Sequence, residues 1–171
     1  MSDNTMREIL IDKVTVNIGV GAPGDKLEQA KVLITRLADG KTPVETYARR
    51  RDPVFKLRKG LPIGVKITLR GEGAKAFLEK AIIAKRKMLK LSNFDKQGNF
   101  AFGVHEYIDF PGAKYDPAIA MFGFDVCVSL ARRGRRVALR KLRPAALGIK
   151  HRITRDEAIE FAKNAFSVRV E

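Results

Sequence analysis

Three observations predict a single two-layer α+β domain, with helices on one face of a largely antiparallel sheet. Four stretches alternate apolar and polar residues with the period of a half-buried strand. Three further stretches space their apolar residues as amphipathic helices do. No repeat and no linker divides the 171 residues, a length that suits one ordinary domain spanning 1–171.

Met1–Thr5 reads as a frayed end, and the first strand begins at about Glu8. Val14, Val16, Ile18 and Val20 form one face of it, and Lys13, Thr15, Asn17 and Gly19 the other. Gly21-Ala22-Pro23-Gly24 breaks the strand. A helix follows from about Asp25, with Leu27, Ala30, Ile34 and Leu37 on one stripe, ending at Asp39-Gly40. Thr42–Tyr47 is a short extended piece leading into a projecting basic loop at about 46–60. In that loop Arg49, Arg50, Arg51, Lys56, Arg58 and Lys59 crowd around Tyr47 and Phe55 as a flexible cationic tip. The second long strand places Ile63, Val65, Ile67 and Leu69 against Gly64, Lys66, Thr68 and Arg70.

Gly71-Glu72-Gly73 turns the chain into a second helix, whose apolar face is read from Phe77 through Met88 and Leu89. Phe100, Phe102 and Val104 predict a strand continuing toward Tyr107 and Ile108, and Phe110–Pro117 is irregular. Phe124, Val126, Val128 and Leu130 mark the fourth strand. A second basic run, Arg132–Arg143, is bent by Gly134 and closed by Pro144. The last helix has a capping box, Thr154 with Glu157, with Ile153 placed to staple onto Ala158.

With the helices on one side, the other sheet face is free and carries Lys13, Asn17, Lys66, Thr68 and Arg70. The charge is +15, from 34 Lys+Arg against 19 Asp+Glu. Such self-repulsion points to a polyanionic partner, and an open face of cations and hydrogen-bonding side chains suits RNA backbone and splayed bases. A solvated charged hairpin is the bland reading of each basic run. No apolar run is long enough to span a bilayer, and no secretory signal opens the chain, so no membrane partner is expected. Cys127 is the sole cysteine, which fits a reducing, cytoplasmic setting and excludes a disulfide framework.

Enzymatic chemistry finds few residues. Gly19–Gly24 matches a dinucleotide fingerprint, with Asp39 at a suitable distance. However, the preceding strand alternates, whereas a dinucleotide-binding parallel strand is apolar on both faces. A phosphate loop fails as well, since Asp25 stands where Lys belongs. His105 and His151 have no neighbours at ligand spacing, so neither metal nor cofactor is expected. Cys127 has no activating His nearby and reads as a structural thiol. The arginines of Arg132–Arg143 would repel one another without an acidic or polyanionic partner.

Phe55 through Gly71, FKLRKGLPIGVKITLRG, closely resembles the large-subunit ribosomal protein that binds 5S rRNA, the family numbered five in the universal nomenclature. Val14–Gly21 resembles that family's first strand, and Gly40–Val44 the segment before its loop. Gly148-Ile149-Lys150-His151-Arg152-Ile153 resembles the archaeal and eukaryotic branch. The resemblance implies a non-enzymatic ribosomal protein of the central protuberance, with 5S rRNA on the open face. By motif position, 5S contacts fall on Asn17, Thr42, Thr68 and Arg70; electrostatics adds Lys13, Lys41 and Lys66. The family's projecting loop reaches P-site tRNA, which here implies Arg49, Arg50, Arg51, Phe55, Lys56 and Arg58. That loop departs from the bacterial pattern at Arg49–Val54. Arg132, Arg133, Arg135, Arg136, Arg140, Lys141, Lys150 and His151 are expected to meet 23S-type rRNA or a small-subunit head protein. Two rival readings stay open: a nucleotide-dependent enzyme using Gly19–Gly24, and an adaptor binding acidic proteins through the basic runs.

Overall fold

The computed structural model describes residues 4–171. Among them, the main sheet is built from β1 (Ile9–Gly19), β2 (Val44–Tyr47), β3 (Pro62–Leu69), β5 (Phe100–Val104) and β6 (Phe124–Arg132). A two-stranded sheet pairs β4 (Met88–Leu89) with β7 (Arg169–Val170). The order across the main sheet is β2-β3-β1-β6-β5, with every neighbouring pair antiparallel. Three longer helices, α1 (Asp25–Leu37), α2 (Glu72–Ala84) and α4 (Arg155–Phe166), supply apolar residues to the one core that backs this sheet. A short helix, α3 (Arg136–Leu139), contributes nothing buried. The predicted two-layer α+β arrangement is what the chain adopts.

Alternation explains which face is covered. Val14, Val16 and Ile18 of β1 are buried with Val65, Ile67 and Leu69 of β3 and Val126, Val128 and Leu130 of β6. Each such side chain contributes about 1.5–3 kcal/mol when removed from water. Leu27, Ala30, Leu33, Ile34 and Leu37 form the opposing stripe of α1, and Ala74, Phe77, Leu78, Ala81 and Ile82 that of α2. The capping box of α4 is present in both directions: Thr154 accepts from the Glu157 amide, and Glu157 from the Thr154 amide at 2.9 Å.

Strand β1 changes phase once. Ile9 and Ile11 pack against the core, as do Val14, Val16 and Ile18, although the first pair is odd-numbered and the rest even. The register explains it: Ile11 pairs with Leu130 and Lys13 with Ser129, so Asp12 is the extra residue of a β-bulge.

Several sequence expectations are corrected. Helix α2 stops at Ala84, because Arg86 and Lys87 adopt left-handed backbone angles of +56° and +57°. Met88 and Leu89 belong instead to β4, whose parallel pairing with β7 is a contact across the chain that local periodicity cannot reveal. β5 ends at Val104, and Tyr107–Asp109 is a 3-10 turn that buries Tyr107. Of the expected frayed end, residues 1–3 lie outside the described residues, while Thr5–Arg7 forms a 3-10 turn capped by Asn4.

Candidate nucleic-acid interface

The face of the sheet opposite the helices is a grid set by strand register. One row runs across all five strands: Val44, Lys66, Asn17, Asp125 and Gly103. The next contains Thr68, Thr15, Cys127 and Ala101, and a third begins with Lys13 and Ser129. Lys13, Asn17, Lys66 and Thr68 are thus brought together as predicted. Arg70 stands at the end of β3, where its Nη1 donates to the Asp12 carboxylate at 3.2 Å. Lys41 and Thr42 are exposed just before β2, at the edge of the sheet. The Lys41 ammonium lies 3.0 Å from where a Cβ on Gly73 would stand, so it reaches over the start of α2 and not across the grid.

Thr15, Asp125, Cys127 and Ser129 belong to the face and were not among the predicted site residues. The signal was their alternation with buried β1 and β6 residues, but their proximity to Lys66 and Asn17 is a matter of register. Asp125 changes the chemistry of the face. A carboxylate repels phosphate yet accepts from base amino groups and ribose hydroxyls, so the centre of the grid suits edges and 2′-OH groups. Cys127 is exposed there, on the polar side of its strand. Burial of its sulfur and the neighbouring Asp125 push its thiol up, which keeps it neutral and a poor nucleophile.

The basic loop is a small hydrogen-bonded hairpin. The Ala48 amide donates to Leu61 at 2.8 Å, and Asp52 and Leu57 exchange backbone bonds of 3.0 and 2.8 Å. The Asp52 side chain accepts from the Val54 amide at 3.0 Å, closing the tip. The arginines are not at that tip: Arg49, Arg50, Arg51 and Arg58 line its exposed flanks, while Val54 and Phe55 are 83% and 72% exposed at the turn. Lys56 takes a left-handed backbone angle of +54° beside them. The base is tied to α1, since Lys31 meets Glu45 at 2.6 Å and the Tyr47 hydroxyl donates to the same carboxylate at 2.7 Å. These two donors hold the Glu45 carboxyl below its usual value.

The second basic run is not a hairpin, nor are all its charges free. Arg132 pairs with Glu157 at 2.7 Å, Arg133 with Glu8 at 3.3 Å and Arg135 with Asp12 at 3.4 Å. Three guanidiniums that looked mutually repulsive are therefore compensated from within the chain. Arg136, Arg140, Lys141 and Lys150 lie beyond them. His151 Nε2 is 2.9 Å from the Arg133 carbonyl; a carbonyl only accepts, so that nitrogen carries the proton.

The Gly19–Gly24 turn is a connection. β1 lies between two antiparallel partners, so no parallel strand–helix–strand unit surrounds it. Gly21 and Gly24 have backbone angles of +82° and +122°, which a side chain would strain.

Two family models match this chain: the C-terminal model of the ribosomal L5 family over residues 62–161 and ribosomal protein L5 over residues 4–58. The chain belongs to the ribosomal protein L5 family. It is a ribosomal protein and not an enzyme. The large ribosomal subunit protein uL5 of Methanococcus vannielii is 47% identical over 96% of this chain and 92% of its own length. The uL5 protein of Sulfolobus acidocaldarius is 46% identical over 98% of this chain and 94% of its own, and that of Methanosphaera stadtmanae 45% identical over 98% and 99%. These archaeal L5 proteins carry the large subunit in their names, in keeping with the branch that the Gly148–Ile153 ending resembles. Among the described residues, no helix is long and apolar enough to cross a membrane.

Proposed function

We propose that this chain is a structural constituent of the large ribosomal subunit and holds 5S rRNA on the open face of its sheet, within the central protuberance. The observation that carries the reading is the row Lys66–Asn17–Asp125, with Thr68 and Thr15 beside it: cation, amide, carboxylate and hydroxyls on one water-facing grid. A long anion of fixed shape is met by such a set, through phosphate contacts at Lys13, Lys66 and Arg70 and through 2′-OH and base-edge contacts at Asn17, Thr68 and Asp125. Thr42 extends the contact at the sheet edge, and Lys41 would join it only by swinging away from the start of α2. The hairpin is a separate arm. Its apolar tip, Val54 and Phe55, stacks on or packs against P-site tRNA, while Arg49, Arg50, Arg51, Lys56 and Arg58 meet the phosphates beside it. The Arg136–Lys150 end faces 23S-type rRNA, with a small-subunit head protein as its alternative neighbour.

The experiment is binding of the purified protein to 5S rRNA across a salt series, with transfer RNA and an unrelated duplex RNA as competitors. The expected result is 5S binding that outlasts both competitors as salt rises. Equal collapse for all three RNAs would reduce the +15 charge to generic adhesion.

A further inference from the structure

Beyond the sheet, where β6 runs out, lies a cleft of about 440 Å³ that joins Arg132, Arg135 and His151, from the set expected to meet 23S-type rRNA or a head protein, to residues outside that set. Its walls come from three separate stretches: Lys96, Gln97 and Asn99 before β5, Arg132 and Arg135 at the end of β6, and His151 with Arg152 before α4. No carboxylate lines it. Concave surfaces with one sign of charge focus potential, so a cation-lined cleft attracts anions more strongly than the same charges on a convex surface.

Arg132 marks it as more than a chance gathering. Its side chain is 8% exposed, the most enclosed of the ion-paired groups among the described residues. One end of the guanidinium is used: Nη2 donates to Glu157 at 2.7 Å, and Nη1 reaches the Arg152 carbonyl at 3.4 Å. Its Nε is the one buried side-chain polar atom without a hydrogen-bond partner among the described residues. An orphaned buried donor is costly unless something answers it. Glu157 is itself fixed by the capping box, so Arg132 is held from behind. His151 is fixed in the same way: its Nε2–H is committed to the Arg133 carbonyl, leaving Nδ1 as the uncommitted ring nitrogen. Lys96 and Arg152 are exposed at the rim and form no ion pair among the described residues.

We infer that this cleft is a seat for an RNA backbone phosphate, distinct from the sheet face and from the hairpin. Arg132 and Arg135 are held from behind by Glu157 and Asp12, so the cations left to meet the oxygens of a phosphodiester are Lys96 and the planar fork of Arg152 at the rim. Gln97 and Asn99 add neutral donors fit for a non-bridging oxygen or a ribose hydroxyl. RNA is favoured over an acidic protein segment because the wall is polar: its apolar contributors, Leu130, Ala131, Leu147 and Ile153, include two that are core-facing and buried. The inference rests on the reading of the chain as an RNA-binding ribosomal protein, but not on which RNA the sheet holds.

The test uses the full chain and the double variant Lys96→Ala/Arg152→Ala, which removes two rim cations and leaves the Arg132–Glu157 pair intact. A fold control compares melting of the two proteins. Affinity for a duplex RNA of arbitrary sequence is measured across salt, with polyglutamate and inorganic phosphate titrated in parallel. Losing two phosphate contacts flattens the slope of log K against log salt by about 1.5–2 and weakens binding severalfold at moderate salt. Affinity for polyglutamate stays within twofold, and inorganic phosphate at matched concentration does not displace the duplex. An unchanged RNA slope in a folded double variant overturns the proposal. So does an equal loss toward polyglutamate, which makes the cleft a dock for acidic protein, or full displacement by inorganic phosphate, which makes it a free-anion site. Lys66→Ala/Thr68→Ala in the same assay, with 5S rRNA as probe, reports on the sheet face alone, so either reading can fail without the other.

Discussion

Arg70, at the end of β3, and Arg135, beyond the end of β6, share the carboxylate of Asp12: their Nη1 atoms lie 3.2 and 3.4 Å from its two oxygens. The β-bulge in β1 makes this possible, because Asp12 is the residue with no partner in β6. One inserted residue thus couples the proposed 5S-facing grid to the second basic region. Both pairs are substantially exposed, so their worth to stability is small, about 0–1 kcal/mol. The Asp12 contact fixes the Arg70 guanidinium beside the bulge.

Asp12→Asn therefore leaves the melting temperature nearly unchanged and tightens binding to any RNA by removing a negative charge. Its specific effect is a loss of discrimination, because a freed Arg70 meets all backbones alike. The ratio of affinities for 5S rRNA and an unrelated duplex measures this. A ratio equal to that of the unaltered protein removes Asp12 from recognition.

Gly64 has the opposite profile. A Cβ there would stand 2.7 Å from the Ile18 carbonyl oxygen and 2.9 Å from the Thr46 hydroxyl, both tied to the β2–β3–β1 pairing. Gly64→Ala is expected to lower unfolding free energy by about 1–3 kcal/mol, as other overpacked sites do. Denaturant unfolding checks it; a midpoint at the original value would mean that the strands shift apart freely.

Substitutions in the hairpin test the proposed tRNA contact apart from the proposed 5S contact. Asp52→Ala removes the acceptor for the Val54 amide and loosens the turn that presents Val54 and Phe55. Together with Arg49→Ala, Arg50→Ala and Arg51→Ala, it is expected to leave 5S affinity within about twofold while weakening tRNA-dependent function, because the arm stands off the grid. The same loss of 5S affinity in the hairpin and sheet variants would join the two surfaces into one.

Acid sensitivity follows from the carboxylates. Lys31 and Tyr47 hold Glu45 low, and Arg36 with the Ala118 amide hold Asp116 low. Burial pushes Glu157 up, but the Thr154 amide and Arg132 outweigh it, leaving it low as well. Groups whose folded pKa is depressed contribute fully above their unfolded values, 4.5 for Glu45 and Glu157 and 3.8 for Asp116. That contribution is lost as pH falls through the lower folded values. The unfolding midpoint is expected to hold down to about pH 5 and decline below it, less steeply in Glu45→Gln. A midpoint that climbs on acidification contradicts these signs.

Local chemistry made the framework readable. Period-two alternation in Val14–Ile18, Ile63–Leu69 and Phe124–Leu130 marked the strands and their faces, and Thr154 with Glu157 marked the start of α4. What escaped depended on residues far apart. The α2 stripe seemed to run through Met88 and Leu89 because their spacing fits a helix; only the left-handed backbone at Arg86 and Lys87, and the pairing with Arg169 and Val170, remove them from it. The Asp12 bulge was hidden because alternation was read from Val14 onward, past the phase change. At the site, Lys66 and Asn17 were legible as polar positions, but Asp125 joins them only through register. The internal partners of Arg132, Arg133 and Arg135 were invisible for the same reason: Glu157, Glu8 and Asp12 come from other elements.

Whether the open sheet face holds 5S rRNA is decided by the affinity of Lys66→Ala/Thr68→Ala for 5S rRNA at moderate salt, beside its affinity for an unrelated duplex. Both side chains are exposed on the grid, so the fold is expected to survive their loss. A sheet-bound 5S rRNA predicts an affinity at least about tenfold weaker, with the unrelated duplex affected only through the single lost charge. Unaltered 5S affinity in the folded variant would contradict it and move the 5S contact off the open sheet face.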